Sequence, residues 1–153
     1  MKTATKAKPA VILLAEDDRG DQELTRRALD AGEICNDLRI VEDGEEALAY
    51  LFRRGKYKDP ASSPKPDLFL LDLNLPRVDG REVLERVRAD SRLRRMAVVV
   101  LTTSRQEEDI LRSYDLGCNS FVTKPGAMDQ FIQLIQALEE YWFHTVILPP
   151  RTE

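Results

Sequence analysis

The chain has 153 residues, of which 42% are apolar and 33% charged, with a formal net charge of −4. That length suits one domain burying roughly 68–70% of its extended-chain surface, so the chain can support its own core. The mild acidic balance argues against nonspecific nucleic-acid binding, and no run approaches the ~18 consecutive apolar residues of a membrane span, so neither is expected as a partner.

Met1 to Lys8 carries Lys2, Lys6 and Lys8 but lacks the apolar stretch of a signal peptide. Residues 1–10 read as a flexible basic tail, solubilising or attracting an anionic partner, and a cytoplasmic location is expected. Cys35 and Cys118 have no ligand-spaced partner and read as two reduced thiols. His144 is the single histidine, too few for a histidine metal site or a Ser/His triad. Chemistry here has to run on carboxylates, hydroxyls and a lysine.

In chain order, Val11 to Ala15 reads as a buried strand ending in Glu16-Asp17-Asp18. Helical spacing through Leu24, Ala28 and Leu29 follows, closing at Gly32 as a C-cap. Leu38 to Val41 is a short second strand. Asp43-Gly44-Glu45-Glu46 opens a helix that ends near Arg53-Arg54-Gly55. Lys56 to Pro66 holds three prolines and two serines and reads as a long surface loop. Leu68 to Leu71 runs without alternation into Asp72, the pattern of a strand covered on both faces, and Pro76 stops it. Asp79-Gly80 precedes a helix through Val83, Leu84, Val87 and Leu93. Ala97 to Leu101 is a fourth buried strand, ending in Thr102-Thr103-Ser104. A helix from about Gln106 to Leu116 stops at Gly117. Ser120 to Val122 is a fifth strand ending in Thr123-Lys124-Pro125, and a last helix runs from about Ala127 to Phe143.

Strands alternating strictly with helices imply an α/β fold, a doubly wound five-stranded parallel sheet with right-handed crossovers and helices on both faces. Every strand's carboxyl end then lies on one edge, the edge where open α/β sheets bind ligands. Strand one brings Glu16 and Asp17 there, strand three Asp72, strand four Thr102, Thr103 and Ser104, and strand five Lys124. Singly, each could be a capping or loop residue, as Asp18 is expected to be for the first helix. Together they form a pocket of acids with one cation. Two like unit charges about 4 Å apart repel by about 1 kcal/mol in water and about 4 kcal/mol at an effective dielectric of about 20. Lys124 offsets one charge, so the acids call for a hard divalent ion such as Mg²⁺. A carboxylate can attack phosphorus to give an aspartyl-phosphate, and Asp72, between the acid pair and the lysine, is the best-placed nucleophile.

Glu16-Asp17 after an apolar strand, Asp72-Leu73-Asn74-Leu75-Pro76 with Asp79-Gly80, Thr102 at the end of strand four, and Lys124-Pro125 together resemble the receiver domain of two-component response regulators. The long loop before strand three, Tyr114-Asp115-Leu116 and the tail from Glu140-Tyr141-Trp142-Phe143 to Leu148-Pro149 resemble the single-domain regulators paired with phytochrome histidine kinases. The resemblance implies a flavodoxin-like sheet of order 2-1-3-4-5, with a receiver domain over 11–143 and a C-terminal tail over 144–153. It makes Asp72 the phosphoacceptor in a phosphorelay, fed by a sensor histidine kinase of phytochrome type. Mg²⁺ would be held by Asp17 directly, by Glu16 through water, by Asp72 and by the Asn74 backbone carbonyl. Lys124 and Thr102 would contact the phosphoryl group, and Thr102 and Phe121 would act as switch residues. Core packing is the other reading of Phe121. Asn74 and Ser104 occupy positions that tune phosphoryl lifetime in the family.

Such a protein is a signalling switch and not a conventional enzyme. With eleven residues after Trp142, output is expected through protein contact, as a homodimer across helix four, strand five and helix five. Ile110, Leu111, Tyr114, Leu134 and Tyr141 are the candidate apolar residues on that face. A haloacid-dehalogenase-like, Mg²⁺-dependent phosphatase is the alternative, but it wants an acid two places after its nucleophile, where this chain has Asn74. A flavodoxin-like cofactor binder would want a Ser/Thr/Gly-rich loop after strand one, where this chain has acids. A degenerate receiver serving as a scaffold is disfavoured because every chemical position is filled.

Overall fold

Backbone ladders in the computed structural model, which describes residues 8–150, join five strands into one parallel sheet. They are β1 (Ala10–Ala15), β2 (Asn36–Val41), β3 (Leu68–Leu71), β4 (Ala97–Thr102) and β5 (Ser120–Thr123), in the order β2-β1-β3-β4-β5. The helices between and after them are α1 (Arg19–Ala31), α2 (Gly44–Leu51), α3 (Gly80–Ala89), α4 (Glu107–Asp115) and α5 (Met128–Glu140). This is the doubly wound topology expected from the alternation. The basic tail reading falls on residues 1–7, outside the described residues, apart from Lys8 onward.

The unbroken apolar runs have a direct cause. Leu13, Phe69, Leu71, Val98 and Val100 point into one core with α2 and α3, while Ile12, Leu14, Leu68, Leu70, Val99 and Leu101 point into a second with α1 and α5. Both pleat faces are dry, so neither set of alternate positions is polar. Burying each such side chain contributes about 1.5–3 kcal/mol.

Three aspartates start three helices. Asp18 accepts from the Asp21 N–H at 3.0 Å, Asp43 from Glu46 at 2.7 Å and Asp79 from Arg81 at 2.8 Å. Each cap is worth about 1 kcal/mol. α4 and α5 begin at Gln106 and Ala127 without a side-chain cap.

Several boundaries differ from expectation, but Gly32 is the C-cap of α1, with an extended φ of −76°. A Cβ there would strike the buried Glu139 carboxylate, so close helix approach explains the residue. α2 stops at Leu51, since Arg53 takes a left-handed φ of 54°. α3 ends at Ala89, before Leu93, because the Asp90 carboxylate accepts from the Arg92 and Leu93 N–H groups and turns the chain. The 56–66 segment is tied down: it contains a 3-10 turn over Pro60–Ser62, Ser63 is buried, and the Tyr50 hydroxyl donates to Pro64 O at 2.7 Å. After α5 a wider π turn over Tyr141–Thr145 buries Trp142 and lays Phe143, Val146 and Leu148 against the α1/α5 core.

Candidate functional site

The site residues stand one position beyond their strands and are still held by the neighbouring strand. Glu16 N donates to Val41 O at 2.9 Å, Asp72 N to Ala15 O at 3.2 Å and Lys124 N to Thr102 O at 2.8 Å. The sheet thus sets the backbone from which each side chain leaves. The loop after Asp72 is pinned by contact, because Cβ atoms at Gly80 and Gly44 would collide with the Asp72 carbonyl and with Val78. Asn74 N donates to Asp72 Oδ1 at 3.2 Å.

Lys124 Nζ is the centre of the cluster. It donates to Glu16 Oε1 in a short contact, to Asp21 Oδ2 at 2.9 Å and to Asp72 Oδ2 at 3.1 Å. Glu16, Asp72 and Lys124 are buried, whereas Asp17 and Asn74 are exposed. Burial pushes the Glu16 carboxyl up to about 7 against the opposing pull of Lys124. Burial alone would lower the Lys124 pKa, but its bond to Glu16, the charge of Asp72 and its bond to Asp21 outweigh this and raise it, so the ammonium stays charged.

Carboxylate oxygens of Glu16, Asp17 and Asp72 lie within 4.8 Å of one another. This all-oxygen set, part buried and part open, fits a hard divalent cation of the Mg²⁺ or Mn²⁺ kind. Thr102 is fully buried, and its Oγ1 accepts from Ser104 N at 3.4 Å within its own loop. Among the described residues no hydrogen bond joins that hydroxyl to the side chain of Asp72 or Lys124. Phe121 is half-buried against the α2/α3 core, and its N–H donates to the Tyr114 hydroxyl at 3.2 Å.

Sequence reasoning missed two features. Asp21 is one; its position in the first turn of α1, just past Asp17, was the available signal. The other is a clamp on the β4–α4 loop. Ser104 Oγ donates to Asp109 Oδ2 at 2.6 Å, and Arg81 donates to Asp109 Oδ1 at 2.6 Å. Ser104 and Arg81 together hold the Asp109 carboxyl below its ordinary range.

Fold and cluster together define a doubly wound α/β protein whose acidic pocket could take a divalent cation and a phosphoryl group. The family model described as the response regulator receiver domain matches residues 12–136. The chain belongs to that family, whose general function is to take a phosphoryl group on an aspartate. It is 43% identical over 141 residues to the response regulator Rcp1 of Synechocystis sp., covering 92% of this chain and 94% of that one. Among solved structures, the phosphorylated cyanobacterial phytochrome response regulator RcpA is similar with a TM-score of 0.88 and 43% identity, over 94% of this chain and all of that one. The Mn²⁺-bound form of Rcp1 is similar with a TM-score of 0.87, over 93% of this chain. Family membership sets aside the phosphatase and flavodoxin alternatives.

Proposed function

We propose that Asp72 is the phosphoacceptor of a phosphorelay switch whose donor is a phosphohistidine on a phytochrome-type histidine kinase. The observation that carries this reading is the Lys124 ammonium, bonded at once to Asp72 and to Glu16, which a different strand delivers. Asp72 Oδ forms the new P–O bond as the donor's P–N bond breaks, and the departing imidazole nitrogen keeps the electron pair. Lys124 neutralises charge on the phosphoryl oxygens, and Thr102 turns from Ser104 to donate its hydroxyl. Glu16, Asp17, Asp72 and the Asn74 carbonyl would hold Mg²⁺. The ion supplies charge neutralisation on the phosphoryl oxygens when bound. Self-dephosphorylation by water returns the switch.

Two further parts of the proposal concern response. A phosphoryl group adds about −2 charge and shifts a two-state equilibrium only by its different affinity for the two states. Rotation of Phe121 into the space vacated by Thr102 would couple the pocket to the α4–β5–α5 face. α4 suits this role, since it has no side-chain cap and Ser113 is its only buried residue. Leu111, Tyr114 and Tyr141 are exposed on α4 and after α5, whereas Ile110 is half-buried and Leu134 packs on the core, against its expected place on the surface. We assign a homodimer to that face, the receiver domain to residues 11–143 and a tail to 144–153. The resemblance to RcpA, described as a phytochrome response regulator, supports the choice of kinase.

The test is phosphotransfer from a panel of histidine kinases, phytochrome-type among them, with products run on a sizing column. Transfer from the phytochrome-type kinases with Mg²⁺, and a dimer peak, is expected. Transfer only from unrelated kinases would remove the phytochrome pairing.

A further inference from the structure

Asp21 is the one partner of Lys124 that the proposed phosphoacceptor chemistry does not use. A lysine ammonium has three N–H donors, and Glu16, Asp21 and Asp72 occupy all three. Two of these acceptors have competing duties. Glu16 and Asp72 belong to the carboxylate group that could share one cation, and Asp21 does not. Asp72 also loses its charge once it carries a phosphoryl group. In the loaded pocket, Asp21 is the free carboxylate left to Lys124 beside the phosphoryl oxygens.

Its setting suits that duty. Asp21 N is capped by Asp18 Oδ1 at 3.0 Å, and Asp21 O accepts from the buried Thr25 hydroxyl at 2.8 Å. Its backbone is therefore fixed from both sides. The Asp21 side chain is 26% exposed, against 3% for Glu16 and 9% for Asp72. It draws the ammonium outward while Glu16 draws it inward. A preference for acids in the first turn of a helix explains the residue type. It does not explain a bond to a buried lysine 103 residues away.

We propose that Asp21 is a positioning residue that keeps the Lys124 ammonium beside Asp72 when Glu16 and Asp72 are engaged by a metal ion or a phosphoryl group. This rests on the reading of Asp72 as phosphoacceptor. The test uses the full chain and two readouts. In ¹⁵N-lysine NMR spectra the Lys124 ammonium signal persists in wild type when Mg²⁺ is added. In Asp21→Asn the signal is lost to solvent exchange on Mg²⁺ addition, and Asp21→Glu restores it. In kinetics with a small phosphodonor at saturating Mg²⁺, Asp21→Asn slows uptake about 10-fold. In a Lys124→Ala background the same change has no further effect, as expected for a residue acting through that lysine. A persistent Asp21→Asn signal, a wild-type rate, or an equal slowing in both backgrounds overturns the proposal. Loss of the ammonium signal in a protein that takes up no phosphoryl group would leave Asp21's hold intact and fail the phosphoacceptor reading instead.

Discussion

The two edges of the sheet treat charge in opposite ways. At the amino edge, charged side chains end on backbone or capping partners. Asp67 accepts from Val11 N at 2.9 Å, and Lys65 donates to Arg92 O at 2.7 Å. Arg88 donates to the carbonyls of Gly117, Arg94 and Met96 and to Asn119 Oδ1. At the carboxyl edge, Glu16, Asp17, Asp21 and Asp72 gather round one ammonium. At the first edge these charges find partners within the molecule. The second gathers more carboxylates than its one ammonium can balance, which suits a divalent cation.

The contrast breaks most visibly at Asp72. Asp72→Ala should reduce phosphoryl uptake to background, and in metal-free buffer it should raise the melting temperature, because one repelling acid is gone. Intact-protein mass and thermal melts check both, and a lower melting temperature would mean that the pair with Lys124 outweighs the repulsion. Arg88→Ala should do the reverse. It strands carbonyls at the starts of β4 and β5, costs about 3 kcal/mol by urea unfolding, and leaves phosphoryl uptake unchanged. Mg²⁺ at a hundred times its dissociation constant should stabilise the wild type by about 2.7 kcal/mol, the gain expected of an ion held by the folded acid cluster and not by the unfolded chain. The gain should vanish in Asp17→Ala, and an equal gain in the variant would place the ion elsewhere.

The smallest effect sharpens the boundary between the edges. Asp109→Asn should cost about 1.5 kcal/mol at pH 7 through the weakened bonds to Ser104 and Arg81. The native carboxyl titrates below its ordinary value, so its contribution is present above the unfolded pKa of 3.8 and is lost as pH falls through the lower folded value. Acid unfolding curves of the two proteins should therefore converge below that pH.

Most of the fold was legible because both cores are built from alternate positions of apolar strands, and three of the five helix starts carried an aspartate. The pocket was legible because the residue just past a parallel strand has a known edge to stand on, as Glu16, Asp72 and Lys124 do. Helix ends were less legible. Gly32 read as a C-cap and is one, but its lack of a side chain answers to Glu139, over 100 residues away. Asp21 and Arg88 were not singled out in the sequence, since their partners Lys124, Gly117 and Asn119 come from later strands and turns. Pairings of this kind depend on tertiary contact and leave no local pattern.

The central claim is that the carboxyl-edge cluster makes Asp72 a phosphoryl acceptor. The direct measurement is peptide mapping of the protein after exposure to a small phosphodonor with Mg²⁺. One acid-labile phosphoryl group on the peptide containing Asp72, absent in Asp72→Ala, is the predicted result. A phosphoryl group retained at wild-type level in Asp72→Ala, or mapped to any other residue, would contradict it.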